Sequence, residues 1–264
     1  MSKLDNLPKV EIKADITNVV ESAYTDTLKN PFKSSSNITT TMLNFFYNTV
    51  MYPMQKYNLY AEDKLRKYAE ELQNKAQKIP EGNLVSPRIN ILGQTMEGLK
   101  YNLDEDYIKE IFTNILLSDM DNRKQAKVLP AYIEIVKQLN QKDAETLQLI
   151  KADVSQSAPI LKLKYIFNGG GYSYVSNNII LLYNENQNIV LNALVLDNLC
   201  RLKLIELDFD ERLNDETIYQ KAFESIKCSN SFKTLPHDAK ELGYSQGLLK
   251  VTSFGQNFID ICLS

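Results

Sequence analysis

Gly243-Tyr244-Ser245-Gln246-Gly247 is a G-x-S-x-G pentapeptide, the local pattern of a nucleophile elbow. Such an elbow holds its serine on a sharp turn between a preceding strand and a following helix, with the histidine further along the chain. Here the flanks read the other way round, helix-like before and β-like after, and the single histidine, His237, lies upstream. The pattern predicts a glycine-bounded turn rather than a hydrolase site. His237-Asp238 could orient an imidazole, but no nucleophile is placed beside it, and Asp238 reads as the cap of a following helix. The run Gly169-Gly170-Gly171 could approach a phosphate, yet no Lys-Ser or Lys-Thr follows, so a linker is expected.

Metal chemistry has equally thin support. Cys200, Cys228 and Cys262 are separated by 28 and 34 positions, with no C-x-x-C, and His237 is the only imidazole. A structural zinc site needs four nitrogen or sulfur ligands, usually in close pairs. The cysteines therefore read as small core residues of a chain in a reducing, cytoplasmic setting. Three acidic pairs, Asp104/Asp106, Asp119/Asp121 and Asp208/Asp210, are explained by helix starts and exposed turns. No metal, cofactor or catalytic residue is expected, and the chain does not read as an enzyme.

Charge bears on nucleic acid. Thirty Lys and Arg stand against 33 Asp and Glu, a net charge of −3. Neither side of Gln156 is basic, whereas phosphate neutralisation dominates affinity for nucleic acid. If the C-terminal part does meet DNA, the cations placed to do so are Arg201, Lys203 and Lys250. The helix carrying Arg201 is mostly Leu and Val and includes Asp197, which suits packing better than reading a groove.

The elements that must position these residues follow from periodicity. With 9 Gly and 8 Pro in 264 residues, breakers are few and long elements are expected. Apolar stripes predict helices over residues 9–29 and 38–54. The second of these is too short and too polar to span a membrane. A charged helix over 61–78 carries Leu65, Tyr68, Leu72 and Ala76. Ser86 and Pro87 read as the cap and first residue of a helix reaching about Lys100. Ile108, Ile111, Phe112, Ile115, Leu116 and Met120 recur at helical spacing and predict a wide buried face. A short helix is expected over 131–139, and Asn140 with Asp143 forms a capping box for the next one.

After Ser155 the texture changes. Residues 160–167 alternate apolar and lysine as a strand would, and 179–183 are a short apolar segment. An apolar helix over 189–202, a strand over 203–207, a helix over 215–226, a strand over 247–252 and a final helix capped by Ser253 complete the chain. That order resembles a winged-helix module. The fold class is thus mainly α: an antiparallel helical N-terminal domain over 1–155, followed by a winged-helix-like α+β domain over 156–264.

Residues 60–151 also resemble a known family. The carrying stretches are Glu62-Asp63-Lys64-Leu65-Arg66, Ser86-Pro87-Arg88-Ile89 with Leu99, and residues 107–118, YIKEIFTNILLS. Residues 132–139, YIEIVKQL, and Asp143-Ala144 follow, and the tail Val251-Thr252-Ser253-Phe254-Gly255 adds to them. Together they resemble the Abi-alpha (abortive infection alpha) family of bacterial proteins. The resemblance implies a role in resistance to bacteriophage and supplies no catalytic residues. The expectation is a defence protein that acts by binding or sensing, with a phage-derived protein as partner and self-association through the C-terminal domain. A winged-helix regulator that binds DNA is the alternative.

Overall fold

The computed structural model describes residues 67–68, 70–72, 74–153, 157–175, 179–184, 187–190, 193–227 and 235–263. The expected helices over 9–29 and 38–54, and Cys228, lie outside the described residues. Two compact units divide the chain, Met1–Lys137 and Gln138–Ser264.

The first unit is helical. Tyr68, Leu72 and Ala76 are buried, as their spacing predicts. α1 (Ile89–Asn102) and α2 (Asp106–Asp119) pack against each other. Gly98 lets them approach, since a Cβ there would overlap the Phe112 ring. On α2 the apolar stripe Ile108, Ile111, Phe112, Ile115 and Leu116 is fully inside. The short α3 (Pro130–Val136) opens with proline, which needs no N–H there.

One boundary differs from its prediction. Ser86 does not cap α1 and Pro87 is not its first residue; the helix starts at Ile89. The reason is Arg88, which keeps extended backbone so that its N–H donates to Asp119 Oδ2 at 2.6 Å. Its Nε donates to Asp119 Oδ1 at 2.8 Å and its Nη2 to the Val128 carbonyl at 2.7 Å. Burial pushes the Asp119 carboxyl up, and the hydrogen bonds and charge of Arg88 pull it back.

The second unit mixes helix and sheet. α4 (Gln141–Asp153) begins with the expected capping box: Asn140 N donates to Asp143 Oδ2 at 3.0 Å, and Asp143 N to Asn140 Oδ1 at 3.1 Å. The strands are β1 (Ser157–Phe167), β2 (Tyr172–Tyr174), β3 (Ile179–Asn184) and β4 (Gln187–Val190). α5 (Ala193–Arg201), β5 (Ile205–Asp208), α6 (Glu216–Lys227), β6 (Ala239–Val251) and α7 (Ser253–Cys262) follow. Among the described residues the sheet runs β4-β3-β1-β6-β5, and β2 also pairs with β1. All the pairings are antiparallel.

Several expectations are corrected here. Residues 189–202 are not one helix; they end a strand and then form α5. Both pieces are apolar, so composition alone does not separate them. Asp238 caps no helix, because β6 begins at Ala239. Gly169–Gly171 is not a linker but the tip of the β1–β2 hairpin. Gly170 and Gly171 take φ +83° and +85° there, and Gly170 N donates to the Phe167 carbonyl. The cap of α7 is Thr252, not Ser253: its Oγ1 accepts from Gly255 N at 2.8 Å and donates to the Lys203 carbonyl at 2.6 Å. Of the cysteines described, Cys262 is buried and Cys200 only half-buried.

α6 covers one face of the sheet. Leu161 and Leu163 of β1 pack with Tyr219, Ala222, Phe223 and Ile226. Tyr219 anchors the contact, donating from its hydroxyl to the Gly247 carbonyl at 3.1 Å. The Tyr244 and Phe223 rings meet with centroids 4.6 Å apart.

Candidate binding face

The opposite face of the sheet follows from strand alternation. Residues directly paired in an antiparallel ladder point to the same side, and neighbours along a strand point to opposite sides. Leu161 and Leu163 face α6, so Lys162 and Lys164 face away from it. The register pairs Lys162 with Ser245, Lys164 with Gly243 and with Tyr174, and Ile166 with Tyr172. Two lysines, two tyrosines and Ser245 are thereby gathered on one side.

Their contacts are specific. Lys162 Nζ lies 4.3 Å from the Tyr174 ring centroid and 5.3 Å from that of Phe209. Lys164 Nζ lies 4.9 Å from the Tyr172 ring and donates to Ser245 Oγ at 3.3 Å. The two tyrosine rings meet edge to face, with centroids 5.3 Å apart. Hydrogen bonds from Ser245 and Tyr172, and the nearby charges of Lys162 and Lys164, hold the Tyr174 hydroxyl below its ordinary value; Tyr172 is pushed up. Tyr172 is 57% exposed and Tyr174 42%, so the rings stand open to solvent. Among the described residues no carboxylate forms an ion pair with either lysine.

The G-x-S-x-G pattern gains a structural explanation here. It is neither an elbow nor a turn, because all five residues lie within β6. Gly243, Ser245 and Gly247 share the open side. A Cβ at Gly247 would lie 2.6 Å from the Asp208 carbonyl and 2.7 Å from the Phe209 ring. A Cβ at Gly243 would lie 2.8 Å from Ile166 Cδ1. The glycines make room for neighbours. His237, fully exposed, pairs with Asp238 at 3.2 Å in the turn before β6. Six strand steps, roughly 20 Å, then separate the start of β6 from Ser245, far beyond hydrogen-bond reach.

The acidic pairs divide among structural roles. Asp119 is held by Arg88, and Asp121 takes the Arg123 guanidinium at 2.6 Å. Asp208 takes the Lys250 ammonium at 2.9 Å. Among the described residues no three His, Cys, Asp or Glu side chains gather as a metal site. Burial pushes the Cys200 thiol up to about 11 and Cys262 well above its ordinary value, which suits packing and not attack.

The three cations singled out by sequence are placed apart from this face. Arg201 ends α5, where Nη2 donates to Asn198 Oδ1 at 2.8 Å and Nη1 to Gln138 Oε1 at 2.9 Å. Asn198 in turn donates to Asp143 Oδ2 at 2.8 Å, so Arg201 braces the start of α4. Lys203 turns the chain out of α5 with φ 60°, in the left-handed region, and its side chain is exposed. Lys250 points to the α6 side of β6 and is held by Asp208 and, at 2.7 Å, by Glu211. On α5, Val195, Leu196 and Leu199 are buried, and Leu194 is exposed.

Sequence reasoning did not single out Lys162, Lys164, Tyr172 and Tyr174. A signal was present: K-x-K and Y-x-Y flank a glycine run at strand spacing, so a hairpin would put all four on one side. Among the described residues no helix is long and apolar enough to cross a membrane. No curated protein and no solved structure matches the chain. A family model described as abortive infection alpha matches residues 60–262.

Proposed function

The chain belongs to the abortive infection alpha family, and from that premise we propose that it protects bacteria from phage in the cytoplasm by binding a macromolecule, without chemistry of its own. The observation that carries this reading is the open face of β1, β2 and β6, where cations and exposed rings stand together and, among the described residues, neither lysine is in an ion pair. Groups that could react are given other work: Ser245 accepts from Lys164, and His237 sits at the far end of β6.

The alternative, a winged-helix regulator of duplex DNA, draws on the succession α5, β5, α6, β6, α7 and the antiparallel pairing of β5 with β6. It is the weaker reading. Arg201 and Lys250 would have to leave their hydrogen-bonded partners to meet phosphate, and α5 turns its apolar side inward.

The test is phage plating on cells that carry the protein. Replacing Lys162 and Lys164 together by alanine is expected to abolish protection with the fold intact. His237→Ala is expected to leave protection unchanged. Loss of protection in His237→Ala, with normal folding, would overturn the non-catalytic reading; full protection by the double lysine variant would overturn the assignment to this face.

A further inference from the structure

The chemistry of the open face also names a class of ligand, on the reading just given that this face is a binding surface. Three rings lie along it: Tyr172, Tyr174 and, beyond Lys162, Phe209. Lys162 and Lys164 are two residues apart on one strand, so their stems rise about 7 Å apart. That is close to the step between neighbouring phosphates of an extended polynucleotide.

A protein partner fits this surface poorly. Lysine is depleted in the cores of protein interfaces, and covering two ammonium groups without carboxylates costs their hydration. Among the described residues the exposed large apolar side chains here are tyrosines, with the partly buried Ile166 beside them. A duplex fits poorly too, because its bases are already stacked and shielded from a flat ring surface. An unpaired strand offers both things the face lacks: base π-faces for the rings and phosphates for the ammonium groups. Lys162 sits by the Tyr174 and Phe209 rings and Lys164 by that of Tyr172, and the exposed remainder of the tyrosine rings is left for a base.

We propose that the face formed by β1, β2 and β6 binds single-stranded nucleic acid, with bases stacked on Tyr172 and Tyr174 and phosphates drawn to Lys162 and Lys164. Phe209 extends the stacking row past Lys162. Gly247 is part of the device, because only a residue without a Cβ lets Phe209 lie over β6. The overall charge of −3 does not oppose this, since contact is local and neither lysine is in an ion pair among the described residues; the one carboxylate that the β1–β6 register puts on this side is Glu241, paired with Ile166 toward the start of β6.

The test uses the full chain and fluorescein-labelled oligo(U) and oligo(dT), each about 15 nucleotides, with a duplex of equal length as control. Anisotropy is expected to show binding to one or both single strands in preference to the duplex, and the two oligomers distinguish RNA from DNA as the source. With two phosphates contacted, affinity should fall about sevenfold between 50 and 200 mM salt. Tyr174→Ala should weaken binding at least about fivefold, while Tyr174→Phe, which keeps the ring, should bind as the parent does. No binding to either oligomer at 50 mM salt, equal binding to duplex, or unchanged binding by the double variant Tyr172→Ala/Tyr174→Ala would overturn the proposal. If phage protection depends on Lys162 and Lys164 while no oligonucleotide binds, this ligand assignment fails alone and the reading of the face as functional stands.

Discussion

The helical unit turns one ion pair inward, and the sheet-bearing unit displays two cations. Arg88 closes on a fully buried carboxylate and on main-chain carbonyls, so its positive charge has become a brace between α1 and the end of α2. Lys162 and Lys164 have rings and a hydroxyl as neighbours instead. Those contacts hold the side chains in place without neutralising them. Residue type does not tell the two uses apart; the saturation of the cation does. By that measure Arg201 and Lys250 belong with Arg88, although they sit in the same unit as the exposed lysines.

Breaking the brace should have the largest effect. Arg88→Ala strands the Asp119 carboxylate in the interior and should lower unfolding free energy by about 3 kcal/mol, measured by urea titration. Lys164→Ala, on the open face, should cost under about 0.5 kcal/mol in the same assay. Equal losses would erase the distinction between the units. Gly255→Ala comes next, at about 2 kcal/mol, because its Cβ would overlap the Leu204 carbonyl and backbone would have to move. Lys203→Gly should raise stability by up to about 1 kcal/mol by relieving a left-handed φ of 60°. A loss instead would show that the Lys203 side chain does more than turn the chain.

The smallest effect concerns pH. The Lys250 ammonium, with the N–H groups of Asp210 and Glu211, holds the Asp208 carboxyl below its ordinary value of 3.8. A carboxyl lowered in the folded state adds stability that is complete above that ordinary value and is lost as pH falls through the lower, folded one. Thermal melts of the parent and Asp208→Asn should therefore differ at pH 7 and converge as the pH falls below the carboxyl's ordinary value. Convergence on raising the pH would contradict the pairing.

Much of this architecture could be read from sequence where one periodicity acted alone. The stripe on α2, the capping box at Asn140 and Asp143, and α6 all lie where spacing put them. Legibility failed where two signals overlapped. Apolar residues dominate 189–202 on both sides of Asn192, so a strand end and a helix fused into one prediction. The first half of β6 was hidden because its outer side carries glycine and serine instead of the expected alternation. Arg88 was unreadable for another reason: its partner Asp119 is 31 positions away, and only folding brings the two together. The open face suffered likewise, since its rings and cations meet only after the hairpin closes.

β6 is a continuous run from Ala239 to Val251 that pairs with β1 along one edge and β5 along the other. It therefore sets the phase of the whole unit. A single residue inserted between Gly243 and Gly247 would invert that phase for one half of the strand relative to the other. Tyrosine and serine would trade sides, the aromatic leaving the α6 interior as a hydroxyl entered it. Deletions and insertions in this short stretch should accordingly be far less tolerated than substitutions at its solvent-facing positions.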